Sequence, residues 1–484
     1  MKILQDILYK VRLDAVQGST QVAVRNLHFD SRKVGLDDVF IAIRGVGSDG
    51  HLFIEKAVNA GAIAIICEEF PTILVNGVTY VKVSDSAEAL AWMASNYYDQ
   101  PSTKLKLVGI TGTNGKTTVA SLCYQLFQKA GYVCGLLSTV KVMVGNETFP
   151  ATHTTPDPIA INHYLNEMVQ AGVTYCFMEV SSHGIQQNRI TGLDFDGAVF
   201  TNLTHDHLDY HKTFAAYRDV KKSFFDGLPK NAFALTNIDD KNGGVMVQNS
   251  RAKIKSYALK SYADYRGQIL ESQLSGLLLK INEQEVWVKL IGQFNAYNLL
   301  AIYGIAIELG MTDLEALRYL SEIESVSGRF QYVISPNKIT AIVDYAHTPD
   351  ALQNVIDTIN DLRTKNESFI TIVGCGGDRD KVKRPEMAAI AANGSTQVIL
   401  TSDNPRTEDP MQILKEMEAG VPPQHFKKVV SNVDREQAIK MACQMAKPYD
   451  IILIAGKGHE NYQEINGVKY PFDDMEIVKK YLNQ

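Results

Sequence analysis

The stretch "LVGITGTNGKTTVASLCYQLF", residues 107–127, limits the possible folds more than any other part of the chain. An apolar run leads into a glycine-bearing loop, and a helical pattern opens on Lys116, Thr117 and Thr118. A strand, a loop and a helix in that order belong to a parallel sheet with helices on its faces. The loop also has a chemical use. Backbone N–H groups around Gly112, Thr113, Asn114, Gly115 and Lys116, with the helix N-terminus behind them, suit phosphate oxygens. Lys116 would reach the β- and γ-phosphates, and the Thr117 hydroxyl would ligate magnesium with Thr118 beside it. Strict phosphate-loop spacing asks for glycine where this chain has Ile110. The strand before and the helix after outweigh that departure, so ATP or GTP binding is expected.

The same rhythm runs through the chain. "YCFMEV", "GAVFTNL" and "NAFALTN" continue the first series of strands, and "ITAIVDYA", "FITIVGC", "QVILTSD" and "DIILIAGKG" form another after Ser327, Gly328 and Arg329. Shorter β-like runs, "DVFIAI", "AIAIICE" and "TYVKVS", come earlier and end in a helix, "SAEALAWMASNYYD". A chain of 484 residues exceeds one ordinary core, and three α/β domains fit it. The opening "MKILQDILYKVRLD" reads as helical, with too many charges for a signal peptide. A net charge of −6 gives no reason to expect nucleic acid or an anionic membrane as partner, and no run could span a bilayer. The six cysteines have no paired spacing and read as reduced core residues of a cytoplasmic protein.

Ligands of open parallel sheets bind beyond the carboxyl ends of the strands. The polar clusters "TGTNGKTT", "EVSSH", "TNLTHDH", "DYAHTPD", "GCGGDRD", "TSDNPR" and "AGKGHE" all fall at such ends. One of them extends into "TNLTHDHLDYH", residues 201–211, which holds three histidines and two aspartates. These are either solvated hydrogen-bonding groups or a metal site. The spacing is not that of zinc, and carboxylate with one imidazole suits magnesium or manganese shared with a phosphate.

Taken in order, "GITGTNGKTT", "MEVSSHG", "TNLTHDHLDYH", "GRF", "DYAHTPDAL", "GCGGDRDKVKRPEM" and "DNPRTEDP" make the chain similar to the ATP-dependent Mur ligases of peptidoglycan synthesis. Within that family it most resembles the members that add meso-diaminopimelate to UDP-N-acetylmuramoyl-L-alanyl-D-glutamate. The resemblance implies an N-terminal UDP-binding α/β domain (1–100), a central P-loop-type parallel-sheet ATPase domain (101–328) and a C-terminal Rossmann-like domain binding the amino acid (329–484). It implies ATP as co-substrate, two Mg²⁺ ions, an acyl-phosphate intermediate and a monomer. The second magnesium would meet Glu179 and His207, and a carbamylated lysine in the spacing Tyr217 to Lys221, with the adjacent Lys222 as the alternative. A carbamate offers the anionic oxygens that an ammonium cannot, and lysine loses its proton readily when buried. His205 and His211 would be hydrogen-bonding or solvent-facing.

The remaining roles follow from the same resemblance. Ser31, in "DSRKV", and His51, in "GSDGHLFI", would meet the uridine diphosphate. Thr154, Thr155, Ser181, Gln187 and Arg189 would hold the muramoyl-peptide. Asn295, at a helix start where asparagine is first of all a cap, would contact adenine. Arg329 and Asp344 would bind the nucleotide, and His347 would join the catalytic set. Arg379, Asp403, Asn404, Pro405, Arg406, Gly456 and Glu460 would bind diaminopimelate, Arg406 taking its distal carboxylate and Glu460 the ammonium beside it. A lysine-adding ligase, a folylpolyglutamate synthetase and a catalytically silent nucleotide-binding protein are the alternatives.

Overall fold

The structure, a computed structural model, describes residues 1–45 and 47–483, all with side chains except Leu208 and Asp209. Three sheets organise it, one for each series of apolar runs. The first has the order Leu13–Gln17, Thr79–Val83, Ala64–Cys67, Val39–Ile41, Leu27–His28, parallel except for its first pair. The third runs Gln331–Ile334, Thr340–Asp344, Ile451–Ala455, Phe369–Cys375, Gln397–Ser402, Val429–Asn432, parallel except for its first pair.

The middle sheet has 11 strands and a parallel centre, Cys134–Leu137, Tyr175–Glu179, Lys106–Thr111, Gly197–Phe200, Phe233–Asn237. Strand residues alternate between two cores on its opposite faces. Leu107, Cys176 and Ala198 pack into one, and Val108, Phe177 and Val199 into the other. That burial on both faces is why these strands read as continuous apolar runs. The chain enters the sheet at Lys106–Thr111, goes next to one side and later to the other, so the switch point lies at Thr111. All six cysteines are free and buried, and among the described residues no helix is long and apolar enough to cross a membrane.

Two local expectations need correction. The N-terminal helix is a single turn, Leu4–Ile7, because Lys10 takes a left-handed conformation and Leu13–Gln17 pairs with Thr79–Val83 instead. Asn295 is not a cap. Its helix, Gln293–Glu308, starts two residues earlier behind Gly292, whose φ of +93° glycine adopts without strain. Antiparallel hairpins also extend both edges of the central sheet, Lys141–Val144 with Glu147–Pro150 at one and Tyr265–Gln273 through Gln284–Val288 at the other.

Candidate active site

Carboxyl ends of the central and C-terminal sheets face one cleft of about 2470 Å³. The phosphate loop forms its floor. Gly112 and Gly115 have φ of +149° and +88°, and a Cβ on them would lie 1.9 Å from Thr201 Oγ1 and 2.6 Å from Asn298 Oδ1. Only glycine fits either position. The helix Lys116–Lys129 starts on Gly115 without a side-chain cap, so its first N–H groups remain for an anion. Lys116 Nζ donates to the carbonyls of Gly112 (3.0 Å) and Thr113 (2.8 Å). Desolvation lowers the pKa of this lysine, with Glu179 and Asp206 opposing.

Glu179 is fully buried at the end of the neighbouring strand. Its carboxylate accepts from Thr117 Oγ1 (2.9 Å) and from the Thr139 N–H (2.7 Å), and Arg329 Nη2 donates to the same threonine hydroxyl (3.1 Å). Thr113 joins this floor to the helix Phe214–Asp226 through Tyr217, the two hydroxyls lying 3.1 Å apart. One turn on, Lys221 is 1% exposed, 4.8 Å above the Tyr217 ring, and donates to the Gly112 carbonyl at 2.9 Å. Burial drives its pKa well below the usual lysine value, and Lys116 adds to the effect. Lys222 instead pairs with Asp226 at 2.6 Å along its own helix. Lys221 therefore lines the cleft, and Lys222 is engaged elsewhere.

The histidine stretch separates. His211 is buried with Nε2 2.9 Å from Ser182 Oγ, and His205 is exposed. His207 lines the cleft in a left-handed conformation, its ring 3.4 Å from Asp206 Oδ2 and edge-on to His183. Among the described residues no three His, Cys, Asp or Glu side chains gather as a metal site. Of the expected metal set, Thr117 and Glu179 touch, while Lys221 and His207 share the cleft wall without converging on them.

The C-terminal residues reach the phosphate loop. Asn114 Nδ2 donates to Asp350 Oδ2 at 3.0 Å, tying the loop to the helix Pro349–Leu362. Arg329 stacks on Tyr345 at 4.5 Å, and Asp344 accepts from the Phe330 N–H while burial raises its pKa to about 6. His347 is pushed down to about 4 by burial and by Lys383, whose ammonium donates to the His347 carbonyl at 2.9 Å. Asn295 and Asn298 line the cleft, bonded to each other at 3.1 Å.

Thr154, Thr155, Ser181 and Arg189 are also on the cleft wall, but Gln187 is not. Gln187 stands behind Arg189, whose Nε and Nη2 donate to its Oε1 at 3.1 and 2.7 Å. Ser31 and His51 lie outside the cleft altogether. Both ring nitrogens of His51 are taken up by its own domain, Nδ1 by Asp49 (2.7 Å) and Nε2 by the Glu68 N–H (2.9 Å).

Arg379, Asp403, Asn404, Arg406, Gly456 and Glu460 line the same cleft. Pro405 does not line the wall, and its carbonyl accepts the Glu408 N–H in the turn it shapes. Arg406 has φ of +53° and is pinned to the hairpin Tyr462–Ile465 and Val468–Pro471 by its N–H to the Glu464 carbonyl (3.0 Å). Its Nη1 donates to the Gly377 carbonyl at 2.7 Å. Gly456 must be glycine, since a Cβ there would lie 2.7 Å from Asp403 Oδ2 at a φ of +114°.

Behind this corner Arg435 and Asp474, both fully buried, form a two-pronged ion pair with both bonds 2.8 Å. Arg435 also donates to the carbonyls of Ser402 and Ala455, the ends of the two strands that carry Asp403 and Gly456. Arg435→Met strands the Asp474 carboxylate, and the expected loss is about 3–5 kcal/mol. Urea unfolding should show a lowered midpoint, and an unchanged one contradicts the prediction. Sequence reading passed over Lys457, Tyr345, Lys383 and Asp350. Each stands inside or beside a quoted polar cluster, which was the signal available.

Family models match in chain order: Mur ligase family, catalytic domain over residues 23–98, Mur ligase middle domain over 110–306, and Mur ligase, glutamate ligase domain over 328–458. The UDP-N-acetylmuramoyl-L-alanyl-D-glutamate–2,6-diaminopimelate ligase of Cytophaga hutchinsonii is 56% identical over 481 residues, covering 99% of each chain. The ligase of the same name from Phocaeicola vulgatus is 50% identical and covers 98% of each chain. A solved structure bearing that ligase name is 33% identical, with a TM-score of 0.68 and coverage of 99% of this chain and 98% of the other. With three family domains in order and such identity along its full length, the chain belongs to the Mur ligase family.

Proposed function

We propose that this protein adds meso-diaminopimelate to UDP-N-acetylmuramoyl-L-alanyl-D-glutamate in peptidoglycan precursor synthesis in the cytoplasm, using ATP and releasing ADP and phosphate. The observation that carries this is the shared cleft: the phosphate loop and the corner of Asn404, Arg406 and Glu460 line the same cavity. The names of the similar ligases point the same way.

The D-glutamate carboxylate attacks the γ-phosphorus and the bond to ADP breaks, giving an acyl phosphate. The amine then attacks the acyl carbon, phosphate leaves with the bonding pair, and the amine gives up a proton. Lys116 and the loop N–H groups hold the transferring phosphoryl, and Arg329 and His347 approach it from the C-terminal domain. Asn295 lies against the base and Asp344 against the rest of the nucleotide. Thr154, Thr155, Ser181 and Arg189 hold the muramoyl-peptide, with Gln187 fixing the arginine. Ser31 and His51 belong to the uridine end, away from the chemistry.

Magnesium suits the donors present. A threonine hydroxyl bonded to a fully buried carboxylate is an oxygen pair for a hard ion, and a carbamate on Lys221 would add more oxygens beside His207. Bound there, the ions would offset phosphate charge.

Incubating the protein with ATP, UDP-muramoyl-dipeptide and a panel of amino acids, with product masses as readout, tests the proposal. Diaminopimelate should be ligated and L-lysine should not; equal use of lysine refutes it. Arg406→Ala should raise the KM for diaminopimelate about ten- to a hundredfold, the worth of one hydrogen bond to a charged group. KM values for ATP and UDP-dipeptide should stay as they are. A KM for diaminopimelate that does not move excludes Arg406 from carboxylate binding.

A further inference from the structure

Lys457 is a wholly enclosed lysine, 0% exposed, at the end of the strand Ile451–Ala455. Lysine is almost never fully buried without partners, and this one has three. Its Nζ donates to Asn404 Oδ1 (3.1 Å), Glu460 Oε2 (3.2 Å) and the Tyr462 carbonyl. All three belong to the wall or rim of the amino-acid corner.

We propose that Lys457 is a positioning residue for amino-acid recognition, orienting Glu460, directly and through Asn404, toward the distal ammonium of the incoming amino acid. The proposal rests on the diaminopimelate reading above and deepens it. Geometry supports it at two atoms. Asn404 Oδ1 accepts from Lys457 and from the Glu464 N–H (2.9 Å), both of which can only donate, so the amide has one orientation. Its Nδ2 must then face Glu460 Oε2, which it meets at 2.7 Å. Among the described residues both hydrogen bonds to the Glu460 carboxylate thus fall on Oε2, and Oε1 is left to a cation in the cleft that this residue lines. The lysine also favours the charged form of the acid. Burial and the nearby Asp403 push the Glu460 pKa up, and Lys457 opposes them. Arg435 and the Tyr345 and Tyr462 phenols also lie within electrostatic reach of this carboxylate.

Steady-state kinetics of Lys457→Met with two amino acids test this. One is meso-diaminopimelate, and the other an analogue with hydrogen in place of its distal amine. The variant's KM for diaminopimelate should rise about ten- to a hundredfold, while its KM for the analogue, its kcat and its KM for ATP hold near wild type. A merely structural lysine would raise both amino-acid KM values together, and that result overturns the proposal, as does no rise at all. Lys457→Gln, which retains a donor without the charge, stands in if the methionine variant does not fold. Unfolding of both variants assigns the residue to structure and also overturns it. A wild-type enzyme that ignores diaminopimelate refutes the substrate assignment instead, before any variant is made.

Discussion

Lys116→Ala is expected to slow acyl-phosphate formation about a hundred- to a thousandfold, as loss of one preorganised charge-stabilising donor does. The lysine now spends its hydrogen bonds on the carbonyls of Gly112 and Thr113, at 3.0 and 2.8 Å. That arrangement holds the ammonium over the loop, ready to exchange carbonyls for phosphate oxygens. Lys221 is a poor replacement, because burial lowers that amine's pKa well below the usual lysine value and disfavours the cation. Arg329 approaches from the other side and is engaged with Thr117. Rapid-quench measurement of ADP formed from ATP and UDP-dipeptide, without the amino acid, isolates this step. A burst at the wild-type rate would remove Lys116 from the phosphate site.

What the sequence disclosed here follows from burial. Strands covered on both faces show as unbroken apolar runs, so Tyr175–Glu179, Phe369–Cys375 and Ile451–Ala455 were all legible. The phosphate loop was legible because its glycines are sterically compelled. The hairpins at the edges of the central sheet were not, since half-exposed strands such as Gln284–Val288 alternate with polar residues and look like loop. The opening residues misled because Leu4 and Ile7 do have helical spacing, and only pairing with distant strands ends the helix. At the site, resemblance named residue types but not their direction. Gln187 turned out to support Arg189, and His51 to bridge Asp49 and Glu68. Lys457 was overlooked because a lysine reads as surface until its enclosure is seen.

Two adjacent lysines, Lys221 and Lys222, gave the sequence an ambiguity, and their side chains take different directions. Lys222 is neutralised by Asp226, whereas Lys221 is enclosed beside the phosphate loop with its amine on the Gly112 carbonyl. Burial first, then repulsion from Lys116, lowers its pKa well below the usual value. A neutral amine is what carbon dioxide requires. The nitrogen lone pair attacks the carbon, an N–C bond forms, and one proton leaves to solvent. The product is an anion in place of a cation, on the cleft wall that Glu179 and Thr117 also line, where a magnesium ion would need oxygens. Lys221→Ala should therefore lower kcat on the order of a hundredfold or more, at the upper end of what loss of a metal-site group costs. Removal of one side chain opens space beside the loop, so short carboxylates such as acetate should restore part of the activity. Bicarbonate enriched in ¹³C should give a carbamate resonance in the wild-type protein and none in Lys221→Ala, while Lys222→Ala keeps both the resonance and the activity. Full turnover of a folded Lys221→Ala protein without added carboxylate would end the carbamate assignment, as would a resonance that disappears with Lys222 instead.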